Sequence, residues 1–322
     1  MKYVKNKIHY PNLNMIHFFK LIRWKNLIMI ALMQILVKYA LLLPYFRSGE
    51  VATALSPLAF FLLVLATVCI AAGGYVINDV YDIETDKVNK PEKVIINKHI
   101  SEKTASALFI ILNVIGVGLG FYLSNGIGKS GFFVIFIVAS ALLYIYSSYL
   151  KQMLLVGNIV VSLVVALSII LVGVFELIPV IDDSNRINQI FFFRIILDYA
   201  IFAFMINLLR EMVKDIEDID GDHKAGMRTL PIVVGRERTN KIVFFLSLIP
   251  LFSVVYYIIS NLFKQQLLVG YFLIFVIAPL IYITIKLFSA EQKSHYRHIS
   301  LILKLVMLTG MLSLLVYNFT LR

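Results

Sequence analysis

Long apolar runs separated by short polar joints dominate the chain. They occupy 27–46, 52–77, 105–123, 131–149, 153–175, 191–210, 242–262, 267–286 and 299–320. Each comes close to or exceeds the roughly 20 residues that carry an α-helix across the hydrocarbon core of a bilayer. Gly and Ser occur inside the runs and the ten-residue alternation of a membrane barrel is absent, so helices are predicted. The pattern therefore predicts an all-α polytopic membrane protein with nine transmembrane helices, organised as a single membrane-embedded domain over 1–322. The first apolar run is long enough to stay in the bilayer, and no cleavable leader is expected before it.

Composition agrees: 60% of the 322 residues are hydrophobic and only 15% are charged, with a mean hydropathy of +0.86. The single cysteine, Cys69, falls inside the second run, so disulfides play no part. The formal net charge of +11 raises the question of nucleic acid, and its distribution answers it. With the N-terminus and alternate joints assigned to one side, that side holds 23 of the 30 Lys and Arg: six in 1–25, five in 79–103, Lys151, seven in 210–241 and four in 286–304. This is the positive-inside asymmetry. It places the N-terminus in the cytoplasm and the C-terminus outside, with the basic excess serving orientation and contact with anionic lipid. No nucleic-acid partner is implied.

Two acidic stretches stand out on the cytoplasmic side, "NDVYDIETD" at 78–86 and "DIEDIDGD" at 215–222. Asp79, Asp82 and Asp86 are spaced by three and then four, and Asp215, Asp218 and Asp222 repeat that spacing. Residues so placed share one face of a helix. Three like charges on one face repel, which a helix tolerates in open water or around a cation. Lys87, Lys90 and Lys93 follow the first stretch, while Arg210, Lys214, Lys224 and Arg228 surround the second. Carboxylates among Lys and Arg suit a diphosphate held through a hard divalent cation, and Mg2+ completes its shell with phosphate oxygens and water. Zinc is a poor fit because the six histidines are scattered without HExxH. Neither a GxxxxGK[ST] loop nor a GxGxxG fingerprint occurs, so nucleotide use is unsupported. Arg194 and Asp198, one turn apart in the sixth run, predict a local ion pair. The recurrence of the acid triplets after the second and sixth runs suggests a weak duplication of helices 1–4 in 5–8.

"NDVYDIETDKVNKP" resembles the first aspartate-rich signature of the UbiA superfamily of intramembrane prenyltransferases, and "DIEDIDGDHKAGMRTLP" resembles the second. Within the superfamily, "REMVKDIEDIDGD" and "LKQMLLVGN" look most like the branch that builds digeranylgeranylglyceryl phosphate. The resemblance implies a UbiA-like bundle and Mg2+-dependent transfer of a prenyl group from an isoprenyl diphosphate, geranylgeranyl diphosphate in that branch, to a lipid acceptor such as geranylgeranylglyceryl phosphate. It further implies metal and diphosphate positions at Asn78, Asp82 and Asp86 and at Asp215, Asp218 and Asp222, with Asp79 adjacent. Lys90 stands where the family usually has Arg, which keeps the charge but loses the bidentate fork. "LIRWKN" resembles the family's first-helix pattern and makes Arg23 and Asn26 candidates for phosphate or acceptor contact, although Trp24 replaces the usual Pro. In "YSSYLK", Tyr146 and Lys151 resemble a Tyr/Lys pair near the diphosphate. Asp79, Asp82, Asp218 and Tyr146 become the catalytic candidates. Lys87, Arg210, Lys214 and Arg228 join the substrate-binding ones. Two other readings stay open: prenylation of an aromatic quinone or haem precursor, and a cation-coupled transporter. The transporter would carry its acids mid-span rather than at the span ends.

Overall fold

A computed structural model describes residues 14–320 of the chain; Lys2, Lys5, Lys7 and Arg322, counted above in the charge asymmetry, lie outside them. Nine helical segments among the described residues are long and apolar enough to cross a membrane. They are α1 (Trp24–Arg47), α2 (Pro57–Tyr81), α3 (Glu102–Gly126), α4 (Ser130–Ser148), α5 (Val156–Val180), α6 (Arg186–Lys224), α7 (Arg236–Leu262), α8 (Gln266–Phe288) and α9 (Lys293–Tyr317). Every predicted run falls within one of these helices or overruns its end by no more than about five residues. The largest difference is at the sixth, where a run of 191–210 is part of a helix of 39 residues. Among the described residues there is no β-strand, only an isolated bridge between Ile96 and Ile100.

Local chemistry sets the helix starts. Ser56 accepts from the Ala59 amide and Pro57 follows at the first helical position, where its missing N–H costs nothing. Ser101 caps α3 in the same way through Thr104. Two helices carry π-helical turns ahead of a proline: Val37–Leu42 before Pro44 in α1, and Leu273–Ile277 before Pro279 in α8. Such turns absorb the amide that proline cannot supply. Gly116 lets α3 lie close against α2, since a Cβ there would sit 2.6 Å from Ile70.

The helices close into a ring. α2 packs along α3 and α4, α5 along α6, α6 along α7 and α9, and α9 returns to α1. Two large apolar cores result. One joins α1 to α6 around Leu63, Phe136, Val172 and Phe175. The other joins the later part of α6 to α7, α8 and α9 around Met212, Ile216, Leu280 and Tyr296. α6 contributes to both. Many large apolar side chains remain exposed on the outside, as a lipid-facing surface requires.

One ion pair is buried in the bundle away from the acidic motifs. Lys38 Nζ lies 2.7 Å from Glu176 Oε1, and the Glu176 side chain is wholly buried. Lys38 also donates to the Leu55 carbonyl, while the Leu55 amide donates to Glu176 Oε2 and the Ala54 amide to the Glu176 carbonyl. The pair thereby fastens the α1–α2 connection to α5. Arg194 and Asp198, in contrast, feel each other's charge without closing to an ion pair within 4.0 Å, so the pair expected from their spacing does not form. His295 and His298 lie on the first turns of α9, with His298 facing the Tyr282 hydroxyl.

Removing one member of a buried pair strands the other charge, at a cost of about 3–5 kcal/mol. Glu176→Ala is therefore expected to lower thermal stability in detergent by that order. The double change Lys38→Met with Glu176→Leu should recover most of the loss, as measured by unfolding midpoints of the purified variants.

Candidate active site

The apolar stretch of α2 ends on Asn78 and Asp79, and the helix axis breaks at Asp82, whose φ of −94° and ψ of 5° are not helical. A short helix, Ile83–Asn89, continues beyond it. The Asp82 amide still donates to the Asn78 carbonyl (2.9 Å) and the Asp86 amide to the Asp82 carbonyl (2.8 Å), so the three acids stay in register across the break. The single straight helix that their spacing suggested is absent. The second triplet rides on unbroken α6. At 1.5 Å per residue its 39 residues extend about 58 Å, roughly twice the hydrocarbon thickness. The motif is thus carried past the membrane core on a rigid rod.

The short helix docks directly on α6. Asn89 Nδ2 donates to the Asp218 carbonyl (2.9 Å), and Asn89 Oδ1 accepts from the Gly221 amide (3.0 Å). Gly221 is required here, because any Cβ would collide with the Asn89 amide. Lys90 Nζ reaches Asp218 Oδ2 (2.5 Å) and so ties the two acidic motifs together. Other acids are met from further elements: Asp79 by Arg23 (2.7 Å), Asp82 by Lys151 (2.6 Å) and Asp215 by the Asn158 amide (2.8 Å). Glu211 holds Arg210 (2.7 Å) and Lys214 (3.2 Å). Burial opposes the Arg23 charge, but Asp79 and its neighbours outweigh it and raise the pKa.

These groups rim a cavity of about 1030 Å³. Its floor is apolar, with Ile70 from α2, Phe136 and Leu143 from α4, and Val161 and Leu171 from α5. Polar rim and apolar floor suit an amphiphile with an anionic head. Two rim oxygens, Asn78 Oδ1 and Asp218 Oδ1, are buried with no hydrogen-bond donor. Asp86 has no ion-pair partner; burial, then Asp82 and Asp79, push its pKa up to about 6. Orphaned oxygens and crowded negative charge are what a hard divalent cation relieves, so the residues present fit Mg2+. Among the described residues no three His, Cys, Asp or Glu side chains stand close enough to hold an ion by themselves. The remaining ligands then have to come from substrate oxygens and water.

Most residues expected from sequence line this one cavity: Arg23, Asn26, Asn78, Asp79, Asp82, Asp86, Lys90, Tyr146, Lys151, Arg210, Lys214, Asp215, Asp218 and Asp222. Two do not. Lys87 pairs outward with Glu84, and Arg228 is exposed and offers only its backbone amide, to the Gln152 carbonyl. Tyr144 faces the Tyr81 hydroxyl on the exterior, and Tyr149 is exposed. Four rim residues were not legible beforehand: Asn89, Asn158, Glu211 and Lys304. Glu211 sits within "REMVKD", where the flanking Arg210 and Lys214 make the stretch read as basic. The histidines are less scattered than the sequence suggests, since His17 and His99 stack at the rim with centroids 3.7 Å apart.

A ring of membrane-spanning helices around such a cavity defines an integral-membrane protein whose interior suits an anionic-headed amphiphile. Comparison narrows the class. The UbiA prenyltransferase family model matches residues 41–318, and the chain belongs to that family. A digeranylgeranylglyceryl phosphate synthase of Sulfolobus acidocaldarius is 41% identical over 180 residues, 56% of this chain and 59% of the relative. One of Sulfurisphaera tokodaii is 36% identical over 224 residues, 66% of this chain and 74% of the relative. The chain thus aligns with less than two thirds of the first relative and about three quarters of the second. Among solved structures, a digeranylgeranylglyceryl phosphate synthase superposes with a TM-score of 0.62 at 23% identity, covering 94% of this chain and 97% of its own. A UbiA homolog from Archaeoglobus fulgidus bound to DMAPP and Mg2+ gives 0.56 at 17% identity, covering 92% and 99%. These likenesses share the fold.

The docking of Asn89 on α6 is testable apart from the charges. Asn89→Ala and Gly221→Ala are each expected to lower turnover at least tenfold, an effect of misplaced acids on the order of magnitude known for supporting residues. Membrane insertion and yield should be unchanged. Wild-type turnover in either variant would show that the two motifs hold their spacing without the amide.

Proposed function

We propose that this protein transfers a geranylgeranyl group from geranylgeranyl diphosphate to the free hydroxyl of geranylgeranylglyceryl phosphate, releasing diphosphate. The reaction takes place at the cytoplasmic face of the cell membrane with Mg2+, and the whole chain acts as one domain. The observation that carries this is the pairing of two acidic motifs, each with an orphaned buried oxygen, across the mouth of an apolar-floored cavity. The relatives' activity agrees with it.

Asn78, Asp82 and Asp86 on one side and Asp215, Asp218 and Asp222 on the other would hold Mg2+. When bound, the metal would neutralise charge developing on the departing diphosphate. Arg23, Lys90 and Lys151 contribute to the same end, since each already stands at a rim carboxylate and can turn to phosphate oxygens. The bond from the donor's C1 to its diphosphate oxygen breaks. The allylic carbon then bonds to the acceptor hydroxyl oxygen, whose proton passes to a rim carboxylate; Asp79 and Asp82 stand there. Tyr146 lines the cavity on α4 among charges from both motifs, where its ring faces developing positive charge. The apolar floor accommodates the donor's tail and keeps water from the allylic carbon.

Purified protein supplied with radiolabelled geranylgeranyl diphosphate should prenylate geranylgeranylglyceryl phosphate. EDTA should abolish this and Mg2+ restore it; full activity in the chelator would remove the metal from the reading. Preference for an aromatic acid as acceptor would move the protein to the quinone or haem branch.

A second set of variants tests the motifs. Asp82→Ala and Asp222→Ala are each expected to cut turnover by about 100-fold or more, as loss of a charge-stabilising group does. Asp182→Ala should leave turnover intact. Asp182 caps a turn on the far side of the bundle by accepting from the Ser184 and Asn185 amides, and touches nothing in the cavity.

A further inference from the structure

The cavity cations are not all balanced. Arg23, Lys90, Lys151, Arg210 and Lys214 each hold a carboxylate. Lys304 does not. It lies on α9, partly buried, and its Nζ donates to Asn26 Oδ1 of α1 (2.6 Å), a neutral amide. The charged groups that act on it, Arg210 and Lys25, are both cations. A half-buried ammonium on a membrane-spanning helix, with an amide for partner and cations for neighbours, is costly unless an anion joins it. The acidic motifs supply no such anion, because their carboxylates are engaged elsewhere or face one another.

Directly along the same two helices lies a second hollow of about 110 Å³. Met29 and Met33 follow Asn26 on α1, and Met307 and Gly310 follow Lys304 on α9, each about a turn or two further on. Phe202 and Ile206 of α6 close the far side. Ile30, Val165 and Ser168 line both this hollow and the main cavity, so the two adjoin. Together they offer two apolar arms beside one polar mouth. One runs between α2, α4 and α5 beneath the acidic motifs. The other runs between α1, α6 and α9 beneath Lys304.

We propose that Lys304, with Arg210 and Lys25 beside it, binds the phosphate monoester of the acceptor lipid, and that the arm between α1, α6 and α9 takes the near part of that lipid's tail. This rests on the acceptor reading above and assigns it a place. The donor then occupies the other arm. The two reacting ends meet at the shared mouth, with the phosphate at Lys304 on one side and the diphosphate at the acids on the other. The head group also sets discrimination: a dephosphorylated acceptor leaves Lys304 without its anion, so binding of that analogue is penalised.

Steady-state kinetics of the purified enzyme test this with geranylgeranyl diphosphate, geranylgeranylglyceryl phosphate and the dephosphorylated acceptor. Lys304→Met is expected to raise KM for the phosphorylated acceptor about tenfold or more while KM for the donor stays within about twofold. The preference for the phosphorylated over the dephosphorylated acceptor should collapse, and Lys304→Arg should restore most of it. The unchanged donor KM serves as the check that the variant is folded. For the tail, Gly310→Phe fills the hollow from a position where the adjoining space is open. It should weaken a C20-tailed acceptor but spare a short-tailed one. A preference that survives in Lys304→Met, or a parallel rise of both KM values, overturns the assignment of Lys304. A wild-type enzyme indifferent to the acceptor's phosphate overturns the acceptor reading itself, and this inference with it.

Discussion

Charge at the edge of a low-dielectric bundle has to be compensated, and that constraint organises the polar end of this protein. A carboxylate withdrawn from water is tolerable only with a counter-charge and hydrogen bonds to match. The chain meets the requirement by drawing cations from segments far apart in sequence. Arg23 comes from before α1, Lys90 from after the first motif and Lys151 from the α4–α5 connection, and each meets an acid across the mouth. The same pairs bring α1, α2, α5 and α6 to a common point. Electrostatic need and tertiary structure are in this way one problem with one solution.

Such pairing also describes a resting state. Every rim cation that holds a carboxylate can exchange it for a phosphate oxygen of similar charge and geometry, provided something else neutralises the acid. In the proposed reading a divalent cation arriving with an anionic substrate would do both at once, and the orphaned oxygens of Asn78 and Asp218 stand where it would bind. The apolar floor, by contrast, needs no rearrangement to receive a hydrocarbon chain.

Much of this was legible in the sequence because membrane helices obey a strong and simple rule. Twenty apolar residues span, and the ends of the runs match eight of the nine helices among the described residues to within about six residues. The sixth escaped, since a helix that continues beyond the bilayer in polar residues loses its hydropathy signal, and residues 211–224 read as a connection. The acids were found by their spacing, and all six line the cavity. What spacing does not encode is which partner a side chain meets. Asn89, Asn158 and Lys304 act through contacts 57 or more positions away, with Asp215 and Asn26 among their partners. Lys87 and Arg228 stand beside a motif in sequence, yet the helical twist and the turn at 225–229 turn them outward.

The two halves of the site differ in stiffness. The second motif is built into a helix that is unbroken for 39 residues and embedded in both apolar cores, so it moves only if the bundle moves. The first motif straddles a joint at Asp82, and its outer part is a seven-residue helix tied to α6 through Asn89 and Lys90 and resting through Ile83 on a small apolar cluster beside α2. Any adjustment to the size or charge state of what lies between them therefore falls to one jaw. The site is built like a vice with one plate set in the bundle and one plate on a joint, and sequence change that tunes its fit should accumulate at residues 82–90 rather than along the rod opposite.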